Sequence, residues 1–204
     1  MKRLFFLFVF AIASVSAKAD APVILVYGDS ISAAYGLGNV GEGWVELLKT
    51  RLKEQGYVYT VVNASVSGET TAGGLARLPR ALQVQHPKIL VVELGGNDGL
   101  RALPLAQMRA NLAQMIDSAA AAGAKVLLLG MRMPPNYGAQ FTEQFHGVFA
   151  DLAREKKTAL VDFLLDGTAL DPALIQSDGI HPTAAAQPIL LNNVWPALKP
   201  LLQK

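Results

Sequence analysis

The chain has 204 residues, 51% of them hydrophobic and 17% charged, with 18 Gly, 11 Pro and no Cys. That length suits one domain with a sizeable core, the apolar fraction excludes a disordered chain, and no repeat of about 20–50 residues marks a solenoid. The lack of Cys removes disulfides, thiolate metal sites and Cys nucleophiles, and three scattered His (His86, His146, His181) leave little for a metal, so neither metal nor cofactor is expected.

Lys2 and Arg3 stand before an apolar run from Leu4 to Ala13, and Ala17-Lys18-Ala19 follows, which is the order of a secretory signal peptide. The run is short for a bilayer span, so cleavage after Ala19 is expected rather than an uncleaved anchor. The chain then divides into a signal peptide at 1–19 and a single domain at 20–204. Cleavage leaves 185 residues and takes Lys2, Arg3 and Lys18 away, turning a formal net charge of +2 into −1. A near-neutral protein gives no electrostatic reason to expect nucleic acid as a partner. Nothing after residue 20 offers another membrane span. The expectation is an exported protein without stable membrane insertion, periplasmic or secreted, with monomer as the default state.

Val23-Ile24-Leu25-Val26-Tyr27, ended by Gly28, reads as a strand buried on both faces. Trp44, Leu47, Leu48 and Leu52 follow at helical spacing with Gly56 as the stop. Val58–Asn63 is the next strand, rich in β-branched residues and Tyr. A helix over about 70–83 is weakened by Gly73, Gly74 and Pro79. Ile89–Leu94 is a third strand, Leu105 to Ile116 a helix face, and Lys125–Leu129 a fourth strand. Phe141, Phe145, Val148, Phe149 and Leu152 mark an amphipathic helix. Thr158–Phe163 is a fifth strand, and a last helix runs from about Pro182 toward Leu202. Buried strands alternating with helices imply parallel pairing and a three-layer α/β/α sandwich, whose ligands bind beyond the carboxyl ends of the strands.

The loops at those ends therefore come first. Ser30 sits two residues past Gly28, where a tight turn can expose its hydroxyl. Ser needs a base within hydrogen-bond reach to act as a nucleophile, and otherwise it only caps a helix while Asp29 satisfies turn amides. The pattern also lacks the second Gly of a G-x-S-x-G elbow, since Ile31 and Ser32 follow. Among the bases, His86 enters a strand from the wrong end of the sheet and His146 lies on the helix of Phe145 and Phe149. His181, in Ser177-Asp178-Gly179-Ile180-His181-Pro182, can receive the Asp178 carboxylate folded back across Gly179, which would fix the tautomer and leave Nε2 free for the Ser30 proton. Alternatively, Asp178 and His181 only shape a turn before Pro182. An acyl-transfer site also needs oxyanion donors. Candidates are the Asn97 amide in Gly95-Gly96-Asn97-Asp98-Gly99, a Gly68 N–H at a helix start, and the Ser30 N–H. Taken singly, Gly68 and Asn97 suit structural turns equally well. Two patterns mislead. Gly36-Leu37-Gly38-Asn39-Val40-Gly41 matches a dinucleotide fingerprint but begins too far past its strand, and Asn63-Ala64-Ser65 is a formal glycosylation sequon at a strand end facing the site.

With these blocks the chain resembles the SGNH (GDSL) hydrolase superfamily: Ser30 in Tyr27-Gly28-Asp29-Ser30-Ile31-Ser32, then Gly68, Asn97 and Asp178-x-x-His181. It is most similar to the exported multifunctional acyl-CoA thioesterase/arylesterase/lysophospholipase group of Gram-negative bacteria. Val62–Thr70, Gly74–Pro79, Glu93–Arg101, Pro135-Asn136-Tyr137-Gly138 and Asp178–Pro182 look like that group's blocks, with Glu69 where the group usually carries Asp. The resemblance implies a flavodoxin-like five-stranded parallel sheet of order 2-1-3-4-5 and a metal-free Ser30-His181-Asp178 triad. It implies an oxyanion hole from Ser30 N–H, Gly68 N–H and the Asn97 amide, with a mobile loop at Gly99–Pro104. Leu100, Met131, Met133 and Tyr137 are candidates to line the acyl chain, Met133 because an adaptable thioether accepts chains of different length. The implied function is hydrolysis of carboxylic esters and thioesters (aryl esters, acyl-CoA, lysophospholipids) through an acyl-enzyme. The alternatives are a carbohydrate O-acetylesterase and a periplasmic binding module without turnover.

Overall fold

The computed structural model describes residues 21–204, so the expected signal peptide lies outside the described residues. The middle layer is a sheet of β1 (Val23–Gly28), β2 (Thr60–Asn63), β3 (Ile89–Glu93), β4 (Lys125–Leu129) and β5 (Ala159–Val161). Its order is β2-β1-β3-β4-β5 and every pair is parallel, with Ile24 opposite Val61 on one side of β1 and Ile89 on the other. This is the flavodoxin-like order expected. Helices α1 (Trp44–Glu54) and α6 (Gln187–Leu198) pack together on one face, and α2 (Thr71–Gln85), α4 (Leu105–Ala121) and α5 (Ala139–Lys156) on the other.

The apolar strand runs explain the layering. Ile24 through Tyr27 and Ile89 through Val92 are buried on both faces, which only helices above and below the sheet can achieve. Trp44 and Leu48 on one side and Phe145 and Phe149 on the other are fully buried within the same core. Burying one such side chain is worth about 1.5–3 kcal/mol, so the two faces hold the sheet without disulfides. Among the described residues no helix is long and apolar enough to cross a membrane.

Several element boundaries differ from the sequence reading. β2 begins at Thr60, leaving Val58 exposed, and β5 shrinks to Ala159–Val161. α2 is continuous across Gly73, Gly74 and Pro79, because Gly74 lets the helix lie against Leu94 and its carbonyl takes the Tyr27 hydroxyl at 2.8 Å. The last helix starts only at Gln187, after a 3-10 turn over Ala184–Ala186. The Gly95–Asp98 loop is instead the start of a short helix, α3 (Gly96–Leu100), which follows Gly95 at φ +115°.

Candidate active site

β1 lies between β2 and β3, so the chains leaving β1 and β3 open a crevice at the carboxyl edge of the sheet. Ser30 enters it just beyond β1, and His181 arrives from the loop before α6. The Ser30 Oγ lies 2.8 Å from His181 Nε2 across 151 residues of sequence. On the far side of the imidazole, Asp178 Oδ2 is 2.5 Å from Nδ1. Gly179, at φ +73°, makes the turn that folds Asp178 back, and Asp178 Oδ1 accepts the N–H groups of Ile180 and His181 at 2.9 and 3.0 Å. The hydrogen bond from His181 and these two amides pull the Asp178 carboxyl down to about 2. Gln176 ties this turn to the segment after β1: its backbone N–H donates to His181 O at 2.7 Å and its Nε2 to Tyr35 O at 2.9 Å. The Tyr35 ring packs 4.6 Å from the imidazole.

The three expected oxyanion donors converge on the same crevice, which Ser30, Gly68 and Asn97 all line. Gly68 does not start a helix. It sits at φ +78° in the turn before α2, whose cap is Thr70, and the Arg101 guanidinium holds its carbonyl at 3.0 Å. Among the described residues the N–H groups of Ser30 and Gly68 donate to no protein acceptor, so both are available to a ligand. Asn97 spends one Nδ2 hydrogen on Asp29 Oδ2 at 3.0 Å and keeps the other.

Of the acyl-pocket candidates, Met131, Met133 and Leu100 line a cavity of about 1090 Å³ that continues past Leu165 and Ala169. Tyr137 is not in that lining. Its hydroxyl donates to Leu100 O at 3.1 Å and its ring stacks on Phe141, so it braces the wall from behind. His86 caps the end of α2 at the amino edge of the sheet, as expected. His146 faces Met131 O at 3.3 Å and Asp162 at 3.2 Å and makes no hydrogen bond to Ser30. Among the described residues no cluster of His, Asp and Glu could hold a metal.

Sequence reasoning missed Glu93, at the end of β3. It is fully buried and its Oε2 accepts from Asp29 N–H, Ser32 N–H and Ser32 Oγ at 3.1, 3.3 and 2.8 Å. Burial raises its pKa well above the carboxylate range, helped by the neighbouring Asp29; burial likewise pushes Asp29 up to about 6. The signal was present as a Glu ending an otherwise apolar strand, a position where charge is rarely left bare.

A family model described as the GDSL-like lipase/acylhydrolase family matches residues 26–188. The chain belongs to that family. It is 55% identical over 192 residues to "Esterase TesA" of Pseudomonas aeruginosa, covering 94% of this chain and 95% of that one. It is 39% identical over 188 residues to "Arylesterase" of Vibrio mimicus, with 92% and 93% covered. Against "Thioesterase 1/protease 1/lysophospholipase L1" of Escherichia coli K12 the identity is 39% over 195 residues, with 96% and 92% covered. Among solved structures, a crystal structure of TesA superposes with a TM-score of 0.87 at 57% identity, covering 88% of this chain and 99% of that one. These relatives bear out the reading of the chain as a carboxylic ester hydrolase of the SGNH type.

Proposed function

We propose that this ester hydrolase works through an acyl-enzyme on Ser30, with His181 as base and Asp178 as its orienting carboxylate. The observation that carries the reading is the unbroken chain Ser30 Oγ to His181 Nε2 at 2.8 Å and His181 Nδ1 to Asp178 Oδ2 at 2.5 Å. Ser30 Oγ attacks the acyl carbonyl carbon while Nε2 takes its proton, and the oxyanion accepts from the free N–H groups of Ser30, Gly68 and Asn97. Collapse expels the alcohol or thiol, which recovers the proton from His181. Water then attacks the acyl-enzyme, giving its proton to His181; the bond between Ser30 Oγ and the acyl carbon breaks, Ser30 recovers the proton from His181, and the carboxylic acid leaves. Asp178, an anion down to about pH 2, supports the imidazolium formed in both halves.

The cavity of about 1090 Å³, walled by Met131 and Met133, favours fatty acyl groups over the acetyl group of a sugar ester. Aryl esters, acyl thioesters and lysophospholipids are the substrate classes proposed, in keeping with the names of the relatives. The sequence order of Lys2 and Arg3, the apolar run Leu4–Ala13 and Ala17-Lys18-Ala19 supports export, so the chain is proposed to lose residues 1–19 and act in the periplasm or outside the cell, as a monomer on small molecules.

The test is kcat/KM on matched octanoyl substrates, an aryl ester and a CoA thioester, with Ser30→Ala as the blank and a fluorophosphonate probe to label the serine. Stoichiometric labelling of Ser30 and loss of several orders of magnitude in Ser30→Ala are expected. Appreciable activity in Ser30→Ala would remove Ser30 from the role. A ratio near one between the two octanoyl substrates would mean that the site reads the acyl chain and ignores the leaving group.

A further inference from the structure

The Asp29 and Glu93 carboxyls are 2% and 0% exposed, and Glu93 Oε2 accepts the Asp29 N–H at 3.1 Å. Each buried carboxylate disfavours ionisation of its neighbour, which favours a single proton held between the two. The donors around the pair show where it resides. Asp29 Oδ1 accepts the Ile31 N–H at 3.1 Å and Oδ2 accepts Asn97 Nδ2. Glu93 Oε2 accepts three donors, from Asp29 N–H and from the N–H and Oγ of Ser32. Of the four oxygens only Glu93 Oε1 receives no donor, although it is buried. An oxygen that is buried, beside an anion and offered no hydrogen must itself carry one.

We propose that Glu93 is a positioning residue for the acyl transfer, a buried neutral acid whose Oε1 hydroxyl donates to Asp29 and keeps that carboxylate as the acceptor that aims Asn97. The idea rests on the acyl-enzyme reading above. Through Oε2 the same side chain grips Asp29 and Ser32, the residues on either side of the Ser30–Ile31 pair, so one acid sets both nucleophile turn and oxyanion amide. Gly28 shows how closely the acid is fitted: a Cβ there would sit 2.6 Å from Glu93 Oε2 and 2.9 Å from Ser32 Oγ. The groups facing the pair are Ser32 on the Glu93 side, and on the Asp29 side Asn97 with the more distant charge of His181.

The experiment compares wild type, Glu93→Gln and Glu93→Leu on the octanoyl aryl ester across pH, with infrared spectra of the wild-type protein. Glu93→Gln keeps the geometry, its amide oxygen taking the three donors and its NH₂ donating to Asp29, so its kcat should stay within about fivefold of wild type, while Glu93→Leu should lose on the order of 10²-fold in kcat with KM little changed. Wild-type kcat should fall as the pH rises and the shared proton leaves, and Glu93→Gln should lack that limb. A protonated-carboxyl stretch should persist in wild type at neutral pH, where an ordinary Glu is ionised. A kcat loss in Glu93→Gln as deep as in Glu93→Leu overturns the proposal, and so does absence of the infrared band in wild type, which needs no variant to fold. Turnover that survives Ser30→Ala is a different result: it overturns the acyl-enzyme reading, and the positioning role falls with it.

Discussion

In the proposed mechanism Ser30 owes its chemistry to what surrounds its hydroxyl. The imidazole stands on one side and two uncommitted amide hydrogens on the other, and Asn97 adds a third donor whose direction is set by Asp29. Replacing Asn97 by Ala should therefore lower kcat by about 10²–10³ while leaving KM within a few-fold, measured on an octanoyl aryl ester; a loss below about tenfold would make Asn97 a structural residue. Asp178→Asn presents an amide where Nδ1–H needs an acceptor, so kcat should drop by at least about 10²-fold through the wrong imidazole tautomer, with an unchanged unfolding midpoint because the side chain lies near the surface. Asp178 is held at about 2, so activity lost between about pH 6 and pH 4 does not come from protonating Asp178, whereas protonation of Asp29, raised to about 6, falls within that range. The residues that touch substrate in this mechanism were legible because each occupies a loop after a strand and carries a side chain with few alternatives, as His181 shows against His86 and His146. Asp29 and Glu93 were not. Their meaning depends on burial and on each other, and no spacing in the chain displays either.

At the level of elements, the helix that carries Asn97 is too short to hold itself. α3 has five residues, and its first turn is pinned by Asp98, which accepts Thr71 Oγ1 at 2.6 Å and Thr71 N–H at 2.8 Å. Asn111 of α4 closes the set by donating to Thr71 Oγ1 at 3.0 Å. Asp98→Ala leaves these buried donors bare, so a loss of about 1–3 kcal/mol in a denaturant titration is expected, together with a fall in kcat as α3 loosens under Asn97. The same network explains why the sequence reads as a loop here: Gly95-Gly96-Asn97-Asp98-Gly99 has poor helix propensity, and long-range partners on α2 and α4 override it. α2 was uncertain for a related reason. Gly73, Gly74 and Pro79 argue against a helix locally, while packing against Leu94 and Tyr27 requires the small residue. The long apolar runs and the Phe145–Leu152 periodicity need no such help, and those elements were readable to within a few residues. Frayed boundaries such as Val58 and Thr158 lie where hydrophobic character outlasts the strand pairing.

At the level of the whole molecule, folding favours the neutral forms of Tyr27 and Glu93 as it does that of Asp29. Tyr27 is buried beneath α2, and desolvation pushes it from an ordinary value of 10 up to about 12; Glu93 is raised likewise above its ordinary range. A group raised in the folded state contributes stability that is present below its unfolded pKa and is lost as the pH climbs through the folded one. The stability that both groups contribute is therefore lost as the pH rises. Urea midpoints should decline as the pH climbs above the ordinary Glu value of 4.5, with Glu93→Gln flattening the earlier part of the decline and Tyr27→Phe the part above about pH 10, at a neutral-pH cost of about 1 kcal/mol for the lost bond to Gly74. Midpoints of wild type and Glu93→Gln that run parallel across that range would contradict the shared proton. The separation of 151 positions between Ser30 and its proposed base bears on how the chain is made. Synthesis delivers the serine early and the imidazole only near the end, and Gln176 can tie the two turns together only after that. A growing polypeptide therefore carries a hydroxyl with no partner to activate it. On the proposed mechanism hydrolysis begins only once His181 has been made, so a chain that stops short of that residue should turn over no ester.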